Sequence, residues 1–223
     1  MQNKIDILGI EIDNYAVKDA VLYVERYLEG VGMKTIGTIS MRQLDLAGSD
    51  ETVKEYIRQL DLAVIGEKEI LLAAGINSGQ RTKEIVEHVF FSEMMKRILR
   101  NRKKAFLLAE NETELTQMME QLKSHYERLQ IVGSGSMEGA QHDVDRIINE
   151  INSASADVVF SLLPSPEQEY FLMDNKSKLD IKIWYGMEHD FMPKSRLHRI
   201  MGLAGRLIHK RKLKSRLHEY NKE

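Results

Sequence analysis

Cysteine is missing altogether from these 223 residues, so disulfides, thiolate zinc sites and cysteine nucleophiles are excluded together, and the chain suits a reducing compartment. Proline is nearly missing. Pro164, Pro166 and Pro193 are the only three, all in the last third, so no proline-rich linker divides the chain and one main domain is expected at this length. Long apolar runs are lacking too: nowhere do the roughly 18 to 20 uninterrupted apolar residues of a membrane-spanning helix occur, and residues 1–13 hold no signal-peptide core. A cytoplasmic protein, soluble or attached to a membrane from outside the bilayer, is expected. Aromatics make up only 7% of the chain, and after Phe191 Tyr220 stands alone. Stacking on single-stranded bases is therefore poorly supplied, and no nucleic-acid partner is expected.

What is present is unevenly distributed. Residues 194–223 hold ten Lys or Arg against two acids, a net of +8, so the remaining body carries −10 within a whole-chain charge of −2. Such a basic end points to an anionic partner. Leu203, Leu207, Leu213 and Leu217 are interspersed among its cations, as in an amphipathic helix lying on an anionic membrane, although a solvated charged helix has the same composition.

Short apolar runs alternate with segments of helical spacing. Strands are expected over 5–12, 35–40, 62–65, 105–109, 130–132, 158–163 and 181–185, and helices over 16–29, 52–60, 69–74, 82–99, 112–122 and 141–151. This alternation predicts an α/β fold, a mostly parallel Rossmann-like sheet with helices on both faces. Residues 1–192 form that domain, and a basic helical appendage occupies 193–223. Asn111 followed by Glu114 reads as a helix start after the fourth strand, and ligands in open α/β sheets bind at that carboxyl edge.

The clearest local pattern is an apolar strand over 158–163 that runs into Pro164-Ser165-Pro166-Glu167-Gln168-Glu169. Gln168 and Glu169 offer an amide and a carboxylate to sugar hydroxyls, and a helix N-terminus favours phosphate. Equally, Ser165-Pro166-Glu167 reads as an ordinary helix start with acids complementing the dipole. The glycines of 133–139 lack the spacing and first-strand context of a dinucleotide fingerprint and are expected to form a flexible loop at the site rim. His189 sits between Glu188 and Asp190, but adjacent residues rarely converge on one ion, so no metal site is expected.

Strand, proline, one residue and Gln-Glu resembles the Pro-x-Gln-Glu signature of WecG/TagA/CpsF glycosyltransferases. Other landmarks follow in the same order: Ile5 through Asn14, Thr38, Leu46-Ala47 with Asp50, Phe106-Leu107-Leu108, then Gly186, Asp190-Phe191 and Pro193-Lys194. The resemblance implies metal-independent, cofactor-free, inverting transfer of an N-acetylmannosamine-type sugar from a UDP-sugar to a polyprenyl-diphosphate-linked acceptor. It places that reaction at the inner face of the cell membrane. A single displacement of this kind needs a base on the acceptor hydroxyl and positive charge at the leaving diphosphate. Thr38 and Glu67 are the implied catalytic residues, with Ser40, Gln168, Glu169, Gly186, Arg196, Arg199 and Arg206 around the substrates. Self-association into a homo-oligomer stays open.

Several positions depart from that family. Where its members carry Asp-Gly after the third strand, the aspartate falls on Gly66, leaving Glu67 one residue away as the substitute base. The family's Thr-Pro-Asn turn reads Thr38-Ile39-Ser40, its Gly-Gly reads Ala109-Glu110, and its glycines before Pro-x-Gln-Glu read Leu162 and Pro164. The arginine of the following helical region matches His88, with Arg81 nearby. Two readings follow: an active transferase with a displaced base, or a relative that binds a sugar nucleotide or a partner without turnover.

Overall fold

The computed structural model describes residues 4–138 and 144–187. The basic appendage with Arg196, Arg199 and Arg206, the Pro193 boundary and His189 lie outside the described residues.

The first apolar run is two strands. β1 (Lys4–Ile7) and β2 (Ile10–Asp13) pair antiparallel, Ile5 opposite Ile12 and Ile7 opposite Ile10. The expected single strand over 5–12 is broken because Leu8 and Gly9 both take positive φ, 57° and 75°, the geometry of a two-residue hairpin turn. Asp6 Oδ1 accepts the Gly9 N–H at 3.0 Å. All four isoleucines are buried on one face.

There follow α1 (Val17–Glu29), β3 (Lys34–Ile39), α2 (Met41–Ala47), α3 (Glu51–Gln59), β4 (Leu62–Ile65) and α4 (Lys68–Ala73). Next come α5 (Gly79–Val86), α6 (Val89–Arg100), β5 (Lys104–Ala109), α7 (Glu112–His125) and β6 (Gln130–Ser136). The described chain closes with α8 (Val144–Ser153), β7 (Val158–Leu162), α9 (Glu167–Asn175) and β8 (Ile183–Gly186). α1 buries Val17, Ala20, Val21, Val24 and Leu28, the stripe its spacing predicts. α7 starts on Asn111 as expected, its Oδ1 accepting the Glu114 N–H at 2.9 Å.

Six strands form one parallel sheet in the order β4-β3-β8-β7-β5-β6. Alternate residues of each strand face opposite layers. Ile39, Ile65, Phe106, Val159 and Trp184 pack with the hairpin, α2, α3, α4, α8 and α9. Ile36, Leu62, Leu107, Phe160 and Tyr185 pack with α1, α6 and α7. Both faces are covered, which is the α/β architecture expected from the alternation of elements.

Three local expectations need correction. The helix expected over 82–99 is two helices, separated at His88, whose φ of 49° is left-handed and ends α-helical hydrogen bonding. The strand expected over 130–132 runs on to Ser136, so most of the glycine stretch is paired to β5 rather than looped. Glycine is required in it: a Cβ at Gly133 would lie 2.8 Å from the Phe106 ring. α2 was not expected as an element, though it and α3 supply the helix pair to which Leu46-Ala47 and Asp50 belong.

Candidate functional site

At the carboxyl ends of β3 and β4, on the α1 and α6 side of the sheet, a cavity encloses about 690 Å³ of empty space including its open mouth. Its position follows from topology, because parallel strands deliver their following loops to one edge. Thr38, Gly66 and Tyr185 come from the sheet, Asp13 and Tyr15 from the end of the hairpin, and Arg81, Glu84 and His88 from α5 and the corner after it.

Each polar group is held by identifiable partners. The hydroxyls of Thr38 and Tyr185 are 2.7 Å apart, and the Tyr185 ring is stacked on Phe91 and edge-on to Phe160. The β3–β8 pairing and this aromatic packing thus fix the hydroxyl pair. Glu84 accepts from Arg81 at 2.9 Å, Gln80 at 3.1 Å and the Val17 N–H at 3.3 Å. Burial pushes its carboxyl up, but those three hydrogen bonds outweigh burial and hold it below its usual range. Arg81 is fixed in turn through Nη1, and it lines the cavity beside Glu84.

Asp13 is held differently. Its Oδ2 accepts the N–H of Ala63, on the outer side of edge strand β4, at 2.9 Å, satisfying a donor that no further strand among the described residues covers. Burial raises its pKa, and the Ala63 hydrogen bond and the charge of Lys4 only partly offset that. Tyr15, hydrogen-bonded to Tyr23 and partly desolvated, is pushed up to about 12 and stays a neutral hydroxyl.

Across the sheet lies a second, closed polar cluster. Ser40 caps α2 in a reciprocal pair with Gln43, and Gln43 Nε2 donates to Glu169 Oε1 at 2.6 Å. Ser165 donates to the same carboxylate oxygen. Glu169 is fully buried, and burial raises its pKa against those hydrogen bonds. Gly186 pairs with Gly37 and admits this cluster to the backbone: a Cβ there would lie 2.7 Å from the Tyr56 hydroxyl and 2.8 Å from Gln168 Nε2. Gln168 Oε1 and Glu169 Oε2 are buried with no hydrogen-bond partner among the described residues. Glu67 stands at the carboxyl edge, its Oε1 accepting the Met41 N–H at 3.1 Å.

The Glycosyl transferase WecG/TagA/CpsF family matches this chain over residues 5–191. The chain belongs to that family. No curated protein matches it.

In this WecG/TagA/CpsF chain, the residues singled out from sequence fall into two groups. Thr38 lines the cavity. Ser40, Gln168, Glu169 and Gly186 belong to the buried cluster on the opposite face. Glu67 lies at the edge near both and is not part of the cavity wall. Gly66 does line the cavity, so the position matched to the family's aspartate presents no side chain there. Arg81 and His88, alternatives for one arginine, both line it. Asp13, Tyr15, Glu84 and Tyr185 were not singled out. Only Glu84 had a local sequence signal, its i, i+3 spacing from Arg81 on one helix. No group of three or more His, Asp or Glu suited to a metal ion occurs among the described residues.

Proposed function

We propose that the chain is an inverting glycosyltransferase that moves an N-acetylhexosamine of the N-acetylmannosamine type from a UDP-sugar to a polyprenyl-diphosphate-linked acceptor. The step belongs to cell-envelope polysaccharide or teichoic acid synthesis. The observation that carries this reading is the carboxyl-edge cavity, which combines an aromatic floor, a fixed hydroxyl pair, a carboxylate and a braced guanidinium in a member of this family. An apolar wall with few convergent polar groups suits a sugar nucleotide. The acceptor hydroxyl loses its proton to a carboxylate as its oxygen attacks the anomeric carbon, and the bond to the diphosphate breaks. Thr38, polarised by Tyr185, orients a reacting hydroxyl. Arg81, with Arg196, Arg199 and Arg206, offsets charge on the departing diphosphate.

Glu67 is the carboxylate nearest in sequence to the family's aspartate position. Ser40, Gln168, Glu169 and Gly186 act on the substrates from behind, by fixing the backbone of the edge that binds them. Residues 193–223 attach the protein to the anionic inner face of the membrane. No helix among the described residues is long and apolar enough to cross a membrane, which fits peripheral attachment.

Gly66 favours a second reading, a sugar-nucleotide or partner binder without turnover. Release of UDP from UDP-N-acetylmannosamine, with a soluble polyprenyl-diphosphate amino-sugar acceptor analogue, separates the two. Turnover that falls on Thr38→Ala and on removal of residues 193–223 supports the transferase. UDP binding with no release by the unchanged chain supports the binder.

A further inference from the structure

The cavity lacks a side chain at Gly66, yet it does not lack a carboxylate. Two carboxylates line it, Asp13 and Glu84. Glu84 is saturated: Arg81, Gln80 and the Val17 N–H hold both of its oxygens. A carboxylate so stabilised in its ionised form is a poor proton acceptor. Asp13 is anchored through Oδ2 alone, and its other oxygen has no hydrogen bond among the described residues. A cavity-lining carboxylate fixed through one oxygen, with the other not hydrogen-bonded among the described residues, can serve as a base. Glu67, by contrast, spends Oε1 on the Met41 N–H and does not line the cavity.

Position agrees with this. Asp13 is tethered to the outer side of β4, and Thr38 lies on β3, paired with Val64 one strand further in. Both residues therefore reach the wall of the same cavity from neighbouring positions at the β3–β4 side of the sheet. Gly66 presents only backbone there.

We infer that Asp13 is the general base of this site, taking the acceptor-hydroxyl proton on its free oxygen in place of the carboxylate that Gly66 does not provide. This rests on the transferase reading above. As the acceptor oxygen bonds to the anomeric carbon, its proton passes to Asp13 Oδ1, and the bond from that carbon to the diphosphate oxygen breaks with its electron pair. The product leaves, and Asp13 gives the proton to water. Groups able to influence its titration are Lys4 and Glu11 on the hairpin, Tyr15, Tyr27 on α1, Arg81 and Glu84 on α5, and His88 and Tyr185 on the remaining walls.

The test uses the full chain, UDP-N-acetylmannosamine and the soluble acceptor analogue. It compares the unchanged protein with Asp13→Asn, Asp13→Ala and Glu67→Gln, and titrates UDP binding separately. Asn keeps an oxygen for the Ala63 N–H, so the fold is retained. The expected result is a fall in kcat of about 100 to 10,000-fold with UDP affinity within about twofold. The acidic limb of the pH–rate profile disappears in Asp13→Asn and persists in Glu67→Gln, and added formate partly restores Asp13→Ala. A structural role alone gives no formate rescue and no loss of the limb, and either result overturns Asp13 as base. If Asp13→Asn turns over within tenfold of the unchanged chain, Asp13 falls and the transferase stands. If the unchanged chain binds UDP but never releases it from the donor, both readings fall.

Discussion

Glu169 and Asp61 are both partly or wholly buried carboxylates, and their surroundings make them behave oppositely. Glu169 has its pKa raised by burial, so its ionised form is disfavoured by folding. What it contributes to stability therefore declines as pH rises through its folded value. Glu169→Gln keeps an oxygen for Gln43 and Ser165 and should leave stability at neutral pH unchanged or improved. Glu169→Ala strands both donors in a closed cluster and should cost about 1 to 3 kcal/mol in urea unfolding. For Asp61, burial also pushes up, but Lys34 at 2.7 Å and the Thr35 N–H and hydroxyl outweigh it and hold the carboxyl below its usual range. Its stabilisation is present above the unfolded carboxylate value and is lost as pH falls through the folded one. Asp61→Asn should therefore destabilise more at pH 7 than at pH 3, read as midpoint shifts in urea. Asp13 resembles Glu169 in direction, so Asp13→Asn should not lower thermal stability at neutral pH even as turnover collapses, the separation expected where function keeps a strained group in place.

Among the helices, three are followed by a left-handed residue, a different one each time. After α4 it is Gly75, with the Gly75 N–H bonded to Leu72 O and the Ile76 N–H to Leu71 O. After α6 the same pair of bonds forms around Arg102, at φ 51°. After α8 the position is Ser155, also at φ 51°. Side chains carry a cost of roughly 1 to 2 kcal/mol in that backbone region, and both Arg102 and Ser155 are exposed. Arg102→Gly and Ser155→Gly should each stabilise by about 0.5 to 1 kcal/mol, additively, in chemical denaturation. The same chemistry explains what sequence did and did not disclose. α1 was legible because its five buried residues recur at helical spacing. The hairpin was not, because an apolar residue, Leu8, fills a turn position where asparagine or glycine gives the usual signal. α2 was hidden because Gln43 and Asp45 are buried in it, breaking the apolar stripe, and the end of β6 was hidden because glycines make room there for Phe106.

For the whole molecule, apolar strands buried on both faces made the parallel sheet legible in the sequence, whereas the cavity was legible only at Thr38, at Gly66 and at the alternatives Arg81 and His88. The Thr38 partner Tyr185 lies 147 residues away, and Asp13 enters from a hairpin outside the main sheet, so neither meeting leaves a local trace. The charge asymmetry belongs to this scale as well. If residues 194–223 hold the protein on anionic lipid, binding to phosphatidylglycerol vesicles should weaken strongly between 50 and 500 mM salt, as screening lengths shrink from above about 10 Å toward a few ångströms. It should be absent for neutral phosphatidylcholine vesicles, and cosedimentation measures both. Strand order has a further consequence. β4-β3 on one side and β7-β5-β6 on the other are joined only through β8, the last strand of the described chain to leave a ribosome. Until it does, a nascent polypeptide carries two incomplete sheets with bare inner edges, and such edges recruit other chains. Biogenesis of this protein should therefore be most exposed to chaperones, and to aggregation, in the interval just before residues 183–186 emerge.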